Sequence, residues 1–272
     1  MNIIYVKKRK PTIVSNGLVI HLDASKPNSY PGTGTTWYDI SGYGNDFIAQ
    51  SSTEVTWDST NKYFQLNGNT GSFFKGPKTN ATGLSSVVTY TTIFLVCKVD
   101  DYDNPAVAFD WWQTGSGRAI RLHVPYYYRT GREVVFDIAT TASTGRLNYG
   151  QSGIGDSGIL QVSPEPSVST QTTTAAYWTF RSQTTTPRRS IWYNDTEIVN
   201  SGTRGTDTTW VTNDIHTTLG SFYQSSTGLY GVLANLWKTK IWGFYLYNRG
   251  LSDLELQKMH KYLDYTYKNL YV

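Results

Sequence analysis

Cysteine is almost absent. Cys97 stands alone in 272 residues, so no disulfide can close within the chain. Glutamate is scarce as well, with five positions (54, 133, 165, 197 and 255), and only 16% of the residues carry charge. With so little Glu, and Leu not dominant, a coiled coil or helical bundle is excluded. No run of about 18 apolar residues occurs, so no membrane span is expected. The start, MNIIYVKKRKP, places its basic residues after a very short apolar stretch. A secretory signal has the reverse order and a longer apolar region, so folding in a reducing cytosol is the expectation.

Aromatic side chains are what the chain has in quantity. There are 21 Tyr, 10 Phe and 9 Trp, which rules out intrinsic disorder. The net charge of +4 equals the charge of Lys7, Lys8, Arg9 and Lys10 together. The remainder balances 20 basic against 20 acidic residues, so the body offers phosphates no attractive field and specific nucleic-acid binding is not expected. The basic run has three readings: a solvated tail, an arm docking on an acidic partner surface, or a nuclear import signal. Pro11 favours an extended arm, and we take residues 1–15 as that arm and 16–272 as one domain.

Strand patterns dominate that domain. Residues 17–23, 62–66, 91–99, 106–111, 119–124, 133–138, 176–183, 189–194 and 237–247 read as strands. The run 91–99 is apolar without alternation and is expected to be buried on both faces. Residues 24–46 are turn-rich, and 150–175 read as a long loop or insertion. In 176–183, Tyr177, Thr179 and Arg181 point to one side, Ala176, Trp178 and Phe180 to the other. Asn194-Asp195 predicts a tight hairpin.

One helix is predicted, over 252–268. Ser252 and Glu255 form a capping box, Leu251 and Leu256 a hydrophobic staple, and Leu256, Met259, Leu263 and Tyr267 line one face. Strands that do not alternate with helices exclude a doubly wound or barrel α/β fold. The predicted fold class is all-β, an antiparallel two-sheet jelly-roll sandwich closed by one C-terminal helix.

Several segments carry a resemblance. Gly17-Leu-Val-Ile-His-Leu-Asp-Ala-Ser25, Ser29-Tyr-Pro-Gly32 and Thr36-Trp-Tyr-Asp-Ile-Ser-Gly-Tyr-Gly-Asn45 open the domain; Tyr177-Trp-Thr-Phe180, Ile191-Trp-Tyr-Asn-Asp195 and Tyr247-Asn-Arg-Gly-Leu-Ser-Asp253 follow. Over residues 16–268 the chain resembles the concanavalin A-like lectin/glucanase superfamily in its laminin G-like branch, most closely domains in structural proteins of tailed phages and large DNA viruses. The resemblance implies a non-enzymatic virion component: a minor capsid, tail or fibre protein, assembled in the host cytoplasm. Its partners would be other virion proteins, in a homo- or hetero-oligomeric assembly, with host glycans as a further ligand. A free lectin domain is the alternative, and a glycoside-active enzyme a third. Asp195 departs from the family pattern, where Gly is frequent, and so does Gly243, where Glu is common.

Catalysis finds little support. A glycosidase needs two carboxyls facing one cleft, and no two Glu are close in sequence; Glu133 with Asp137 is the nearest pair on a strand. His21, His123, His216 and His260 are scattered without zinc-ligand spacing, and no nucleophile elbow or phosphate loop occurs. A glycan site would need aromatic platforms. Trp111-Trp112 and Tyr126-Tyr127-Tyr128 are the candidates, with subunit contact or packing as their other reading. No cofactor is expected. Calcium is the one metal left open, at Asp100, Asp101 and Asp103, where a plain polar loop is the competing reading.

Overall fold

A computed structural model describes residues 9–78, 81–84, 90–100, 107–113, 117–128, 131–138, 146–149, 175–183, 188–200, 216–221, 223–224, 229–230 and 237–267. Strands are numbered along the chain. Sheet A holds β1 (Leu18–Asp23), β4 (Val55–Asp58), β5 (Tyr63–Asn67), β7 (Thr91–Val99), β12 (Ala176–Gln183), β13 (Arg188–Tyr193), β14 (Thr196–Asn200) and β18 (Lys238–Tyr247). Its order is β14-β13-β12-β7-β18-β5-β4, with β1 also paired to β18. Sheet B holds β2 (Thr36–Trp37), β3 (Phe47–Ala49), β6 (Phe74–Lys78), β8 (Val107–Gln113), β9 (Gly117–Tyr128), β10 (Gly131–Ile138), β11 (Arg146–Tyr149) and β15 (His216–Leu219), in the order β11-β10-β9-β8-β15-β6-β3-β2. β16 (Tyr223–Gln224) and β17 (Leu229–Tyr230) form a separate small ladder, and α1 spans Asp253–Tyr267. The strand pairs are antiparallel throughout.

The two sheets stack on one apolar core. Leu95, Trp178, Phe180 and Phe244 from sheet A meet Phe47, Phe74, Phe109 and Phe136 from sheet B, all fully or almost fully buried. Sheet A has a second apolar layer on its other side. Phe94 and Val96 of β7, Tyr177 of β12, and Trp242, Tyr245 and Tyr247 of β18 lie under α1. This explains the unbroken apolar run at 91–99: alternate residues face different cores. The same holds for β12: its two sets of side chains face opposite sides as expected, and both are buried, Trp178 and Phe180 between the sheets and Tyr177 in the second layer.

α1 begins as its sequence dictates. The Ser252 hydroxyl accepts from the Glu255 amide at 3.3 Å, and the Glu255 carboxylate accepts from the Ser252 amide at 3.0 Å. Leu251 and Leu256 are both buried, completing the staple. Leu256, Met259, Leu263 and Tyr267 point into the second layer, joined by Tyr262. The turn at Asn194-Asp195 is also as expected, with Tyr193 opposite Thr196 and Asn194 at φ 53°. The turn-rich stretch 24–46 holds one element that periodicity missed, the two-residue β2, because a strand that short shows no period.

The expected arm is not detached along its whole length. Ile13 and Val14 pack against the second layer. The Tyr247 hydroxyl donates to the Val14 carbonyl at 2.8 Å, and Arg249 donates to the Asn16 carbonyl through Nε (3.0 Å) and Nη2 (2.9 Å). The same guanidinium grips Glu255 at 2.6 and 2.9 Å, so one side chain ties the incoming chain to the helix cap. Lys7 and Lys8, and the 150–174 part of the expected loop, lie outside the described residues. Among the described residues no helix is long and apolar enough to cross a membrane.

Met259 is fully buried between Val14, Tyr247 and the sheet. Met259→Ala is expected to cost about 2–5 kcal/mol, whereas Lys261→Ala on the exposed face stays within about 0.5 kcal/mol. Urea unfolding of the two variants checks the contrast.

Candidate functional site

The most distinctive motif, residues 36–45, is a structural knot. Asp39 Oδ1 accepts from the amides of His21 (2.7 Å) and Ser41 (2.9 Å). Its Oδ2 accepts from the Ser41 hydroxyl (2.7 Å) and the Asn45 amide (3.0 Å). Asn45 Nδ2 then donates to the carbonyls of Val19 and Thr82. Trp37 fills the core, and Gly42 takes φ 100°, a turn conformation that side chains disfavour. Asp39, Ser41 and Asn45 pin the loop to β1, and their side-chain polar groups are engaged in doing so.

The expected aromatic platforms separate. Trp111 is a correction: it is 4% exposed and belongs to the core between the sheets, so its ring offers no platform. Apolar burial has claimed it. Trp112 pairs with Arg118 at the β8–β9 turn, and Tyr126, Tyr127 and Tyr128 pair with Glu133, Arg132 and Gly131 at the other end of β9. Eight residues of strand separate Arg118 from Tyr126, about 26 Å. The two clusters therefore cannot form one binding surface.

Asp100 enters a different setting. Gln65 Nε2 donates to its Oδ2 at 3.0 Å, and Lys240 Nζ lies 3.8 Å from its Oδ1. An ammonium thus faces this carboxylate; Asp101 and Asp103 lie outside the described residues. Gln65 and Lys240 are cross-strand partners on β5 and β18. Lys240 also sits 5.5 Å from the centroid of the Tyr63 ring, and Tyr63 packs on Trp242 at 5.0 Å. A half-buried aromatic ring, an amide, a carboxylate and an ammonium thus share one patch on the outer side of sheet A. Sequence reasoning picked out only Asp100, since the others come from strands joined by register alone.

A buried polar group lies nearby, under the end of α1. Asp23 is fully buried; its Oδ1 accepts from the Ser25 amide (3.0 Å) and hydroxyl (2.6 Å), and its Oδ2 has no hydrogen bond. Burial pushes its carboxyl above the ordinary range, against the Ser25 hydrogen bonds. The Tyr267 and Tyr245 hydroxyls meet at 2.8 Å beside it. Gly243 makes this possible, because a Cβ there would collide with the Tyr267 hydroxyl. The position where the resembled family often has Glu is here a notch for the helix's last tyrosine.

Four further carboxylates serve structure. Asp58 caps the turn at Thr60 and Asn61, Asp110 pairs with Arg121 at 2.7 Å, Asp253 pairs with buried Arg181, and Glu255 pairs with Arg249. The Arg249 hydrogen bonds hold the Glu255 carboxyl down at about 2. Glu133 and Asp137 stand on β10 opposite Tyr126 and Arg121. Of the four His, His21 is buried against Tyr245 and His260 is buried among Phe94, Tyr177 and Trp192.

No protein-family model matches the chain, and no curated protein matches it. Solved structures do resemble it. The binding domain of botulinum neurotoxin DC in complex with SialylT superposes at a TM-score of 0.61 with 11% identity, over 93% of this chain and 53% of that one. The botulinum neurotoxin serotype D ligand binding domain in complex with N-acetylneuraminic acid gives 0.60 and 12%, over 91% and 51%. Trypanosoma rangeli sialidase in complex with sialic acid gives 0.55 and 13%, over 91% and 33%. At these identities the likeness is one of fold: a β-sandwich of two antiparallel sheets. The chain spans about half of each toxin domain and a third of the sialidase.

Burial lowers the His21 pKa to about 3 and the His260 pKa to about 4; Lys26 adds to the first, and Arg181 to the second against Asp195. The unfolded chain takes up these protons below about pH 6.5 while the folded one refuses them, so stability falls as pH drops from there. Each His is expected to contribute a slope of up to about 1.4 kcal/mol per pH unit between pH 6.5 and 5. Urea midpoints across that window check this: His260→Gln should flatten the curve, and an unchanged slope would contradict the assignment.

Proposed function

We propose that this protein is a non-catalytic recognition module, a structural or decoration protein of a virus particle that binds glycans of the host surface. The observation that carries the glycan reading is the patch formed by Tyr63, Gln65, Asp100 and Lys240, with buried Trp242 packed behind the Tyr63 ring. Sugars are recognised by an aromatic face against their C–H side and by amide and carboxylate groups on their hydroxyls. Lys240 adds a cation suited to an acidic sugar. The neighbouring folds in complex with SialylT, sialic acid and N-acetylneuraminic acid support a sialylated ligand. The virion placement rests on the resemblance of the opening motif to phage and large-virus structural domains. Tyr126, Tyr127 and Tyr128 stand as a second candidate surface for glycans or neighbouring subunits, and Trp112 as a separate third one.

A free lectin domain is the second reading, favoured by the toxin neighbours, which are binding domains. The enzyme reading is disfavoured because the toxin neighbours are binding domains, and because Asp39, Asp110 and Glu255 are held by hydrogen bonds or ion pairs.

A glycan array with sialylated and neutral oligosaccharides, with and without calcium, tests the proposal. Binding of acidic glycans without a calcium requirement is expected, weakened at least tenfold by Gln65→Ala or Lys240→Ala, which corresponds to about 1.4 kcal/mol. Array binding that ignores both substitutions would remove the patch from the account. Mass spectrometry of purified particles checks the virion placement.

A further inference from the structure

The acidic and basic residues of α1 are used differently. Asp253 pairs inward with Arg181, Asp264 accepts from the Tyr177 hydroxyl at 3.1 Å, and Glu255 pairs with Arg249. Lys258 and Lys261 are exposed and form no ion pair among the described residues. The helix carboxylates are thus engaged by hydrogen bonds or ion pairs, although Asp253 (70% exposed) and Asp264 also reach solvent, whereas its two exposed ammonium groups stay outside any ion pair among the described residues.

Spacing makes this a stripe. Positions 254, 258, 261 and 265 fall within one narrow face of an α-helix, at steps of four, three and four residues. Leu254 (62% exposed) and Tyr265 (43% exposed) are its ends, two of the five exposed large hydrophobic residues among those described. They lie about 16 Å apart along the axis. The N-terminal segment completes the surface. Val14 and Asn16 are bound to Met259, Tyr247 and Arg249, and this holds Lys10 beside the stripe, its ammonium 6.0 Å from the Tyr265 ring centroid. Arg9, also exposed, precedes it.

We infer that this face, made of Leu254, Lys258, Lys261, Tyr265, Lys10 and Arg9, docks an acidic segment of another protein. The segment would present a run of carboxylates to the two lysines, with an apolar side chain at each end for Leu254 and Tyr265. Charge complementarity selects an acidic occupant. The mixed composition selects protein over the alternatives: the apolar ends offer a phosphate backbone nothing, and two apolar residues are too few to enter a bilayer. The basic run alone reads as a tail; fixed against α1, it becomes one edge of a surface. This inference is independent of glycan binding, which uses other residues.

The test is a titration of the full chain, followed by amide NMR, with a labelled 16-residue peptide bearing central glutamates and leucine or phenylalanine at each end. Saturable binding with shifts confined to residues 9–16 and the 254–265 stripe is expected. Lys258→Glu with Lys261→Glu should weaken it about tenfold with an unchanged melting temperature, and Leu254→Ser several-fold. If the charge reversal unfolds the chain, Lys258→Gln with Lys261→Gln serves instead, with a smaller loss of the same sign. The same peptide with Gln for Glu should not bind. Three results overturn the inference: no peptide binding at millimolar concentration, binding unaffected by the lysine substitutions, or tighter binding of that face to duplex DNA or phosphatidylserine vesicles than to the peptide.

Discussion

Sheet A carries apolar side chains on both of its faces, and the whole arrangement follows from that constraint. One face meets sheet B. The other would expose Phe94, Val96, Tyr177, Tyr245 and Tyr247 to water if α1 did not lie across it. The helix is therefore a third layer of the domain. Its capping box, its staple and its apolar face serve one docking event. The link from β18 to α1 and the incoming chain at Val14–Asn16 are both fastened by Arg249 and Tyr247, so both ends of the domain converge on the same interface.

Polar groups fix how the helix sits. Arg181 is fully buried on β12, yet donates to the Leu251 carbonyl and to Asp253 at the helix start. Thr179 meets His260 in the middle, and Tyr177 meets Asp264 near the end. Apolar contact alone would let the helix slide by a turn; three polar contacts along one strand specify a single register. Burying these groups costs stability, and the neutral state of His260 is one sign of it.

Much of this was legible in the sequence. The capping box and staple gave the helix, alternation gave the long strands, and the run 91–99 announced burial on both sides. β2, β3, β16 and β17 were hidden, since two or three residues carry no period, and β4, β6, β11 and β15, of four or five residues, were not read as strands either. Trp111 was misjudged because adjacent aromatics imply that one of them faces outward without saying which; register and the bulge beside it decide. The Asp100 patch was half visible: the acidic loop is in the sequence, but Gln65, Lys240 and Tyr63 reach it only through pairing between strands far apart in the chain. The motif at 36–45 identified a fold, and its chemistry proves to be that of a loop bound to a strand.

Function follows the same division. What the three layers bury is structural, and what they leave outside, on the α1 side of sheet A, is a polar-aromatic patch and a basic stripe. The basic stripe, with Lys10 at its edge, exists only while α1 stays docked on sheet A. Native-state hydrogen exchange measures that directly. If the helix is an integral layer, amides of residues 257–267 exchange with the same opening free energy and denaturant dependence as those of 93–97 and 243–247. Exchange of the helix several kcal/mol below the strands, with the sheet still protected, would show an appendage and contradict the account.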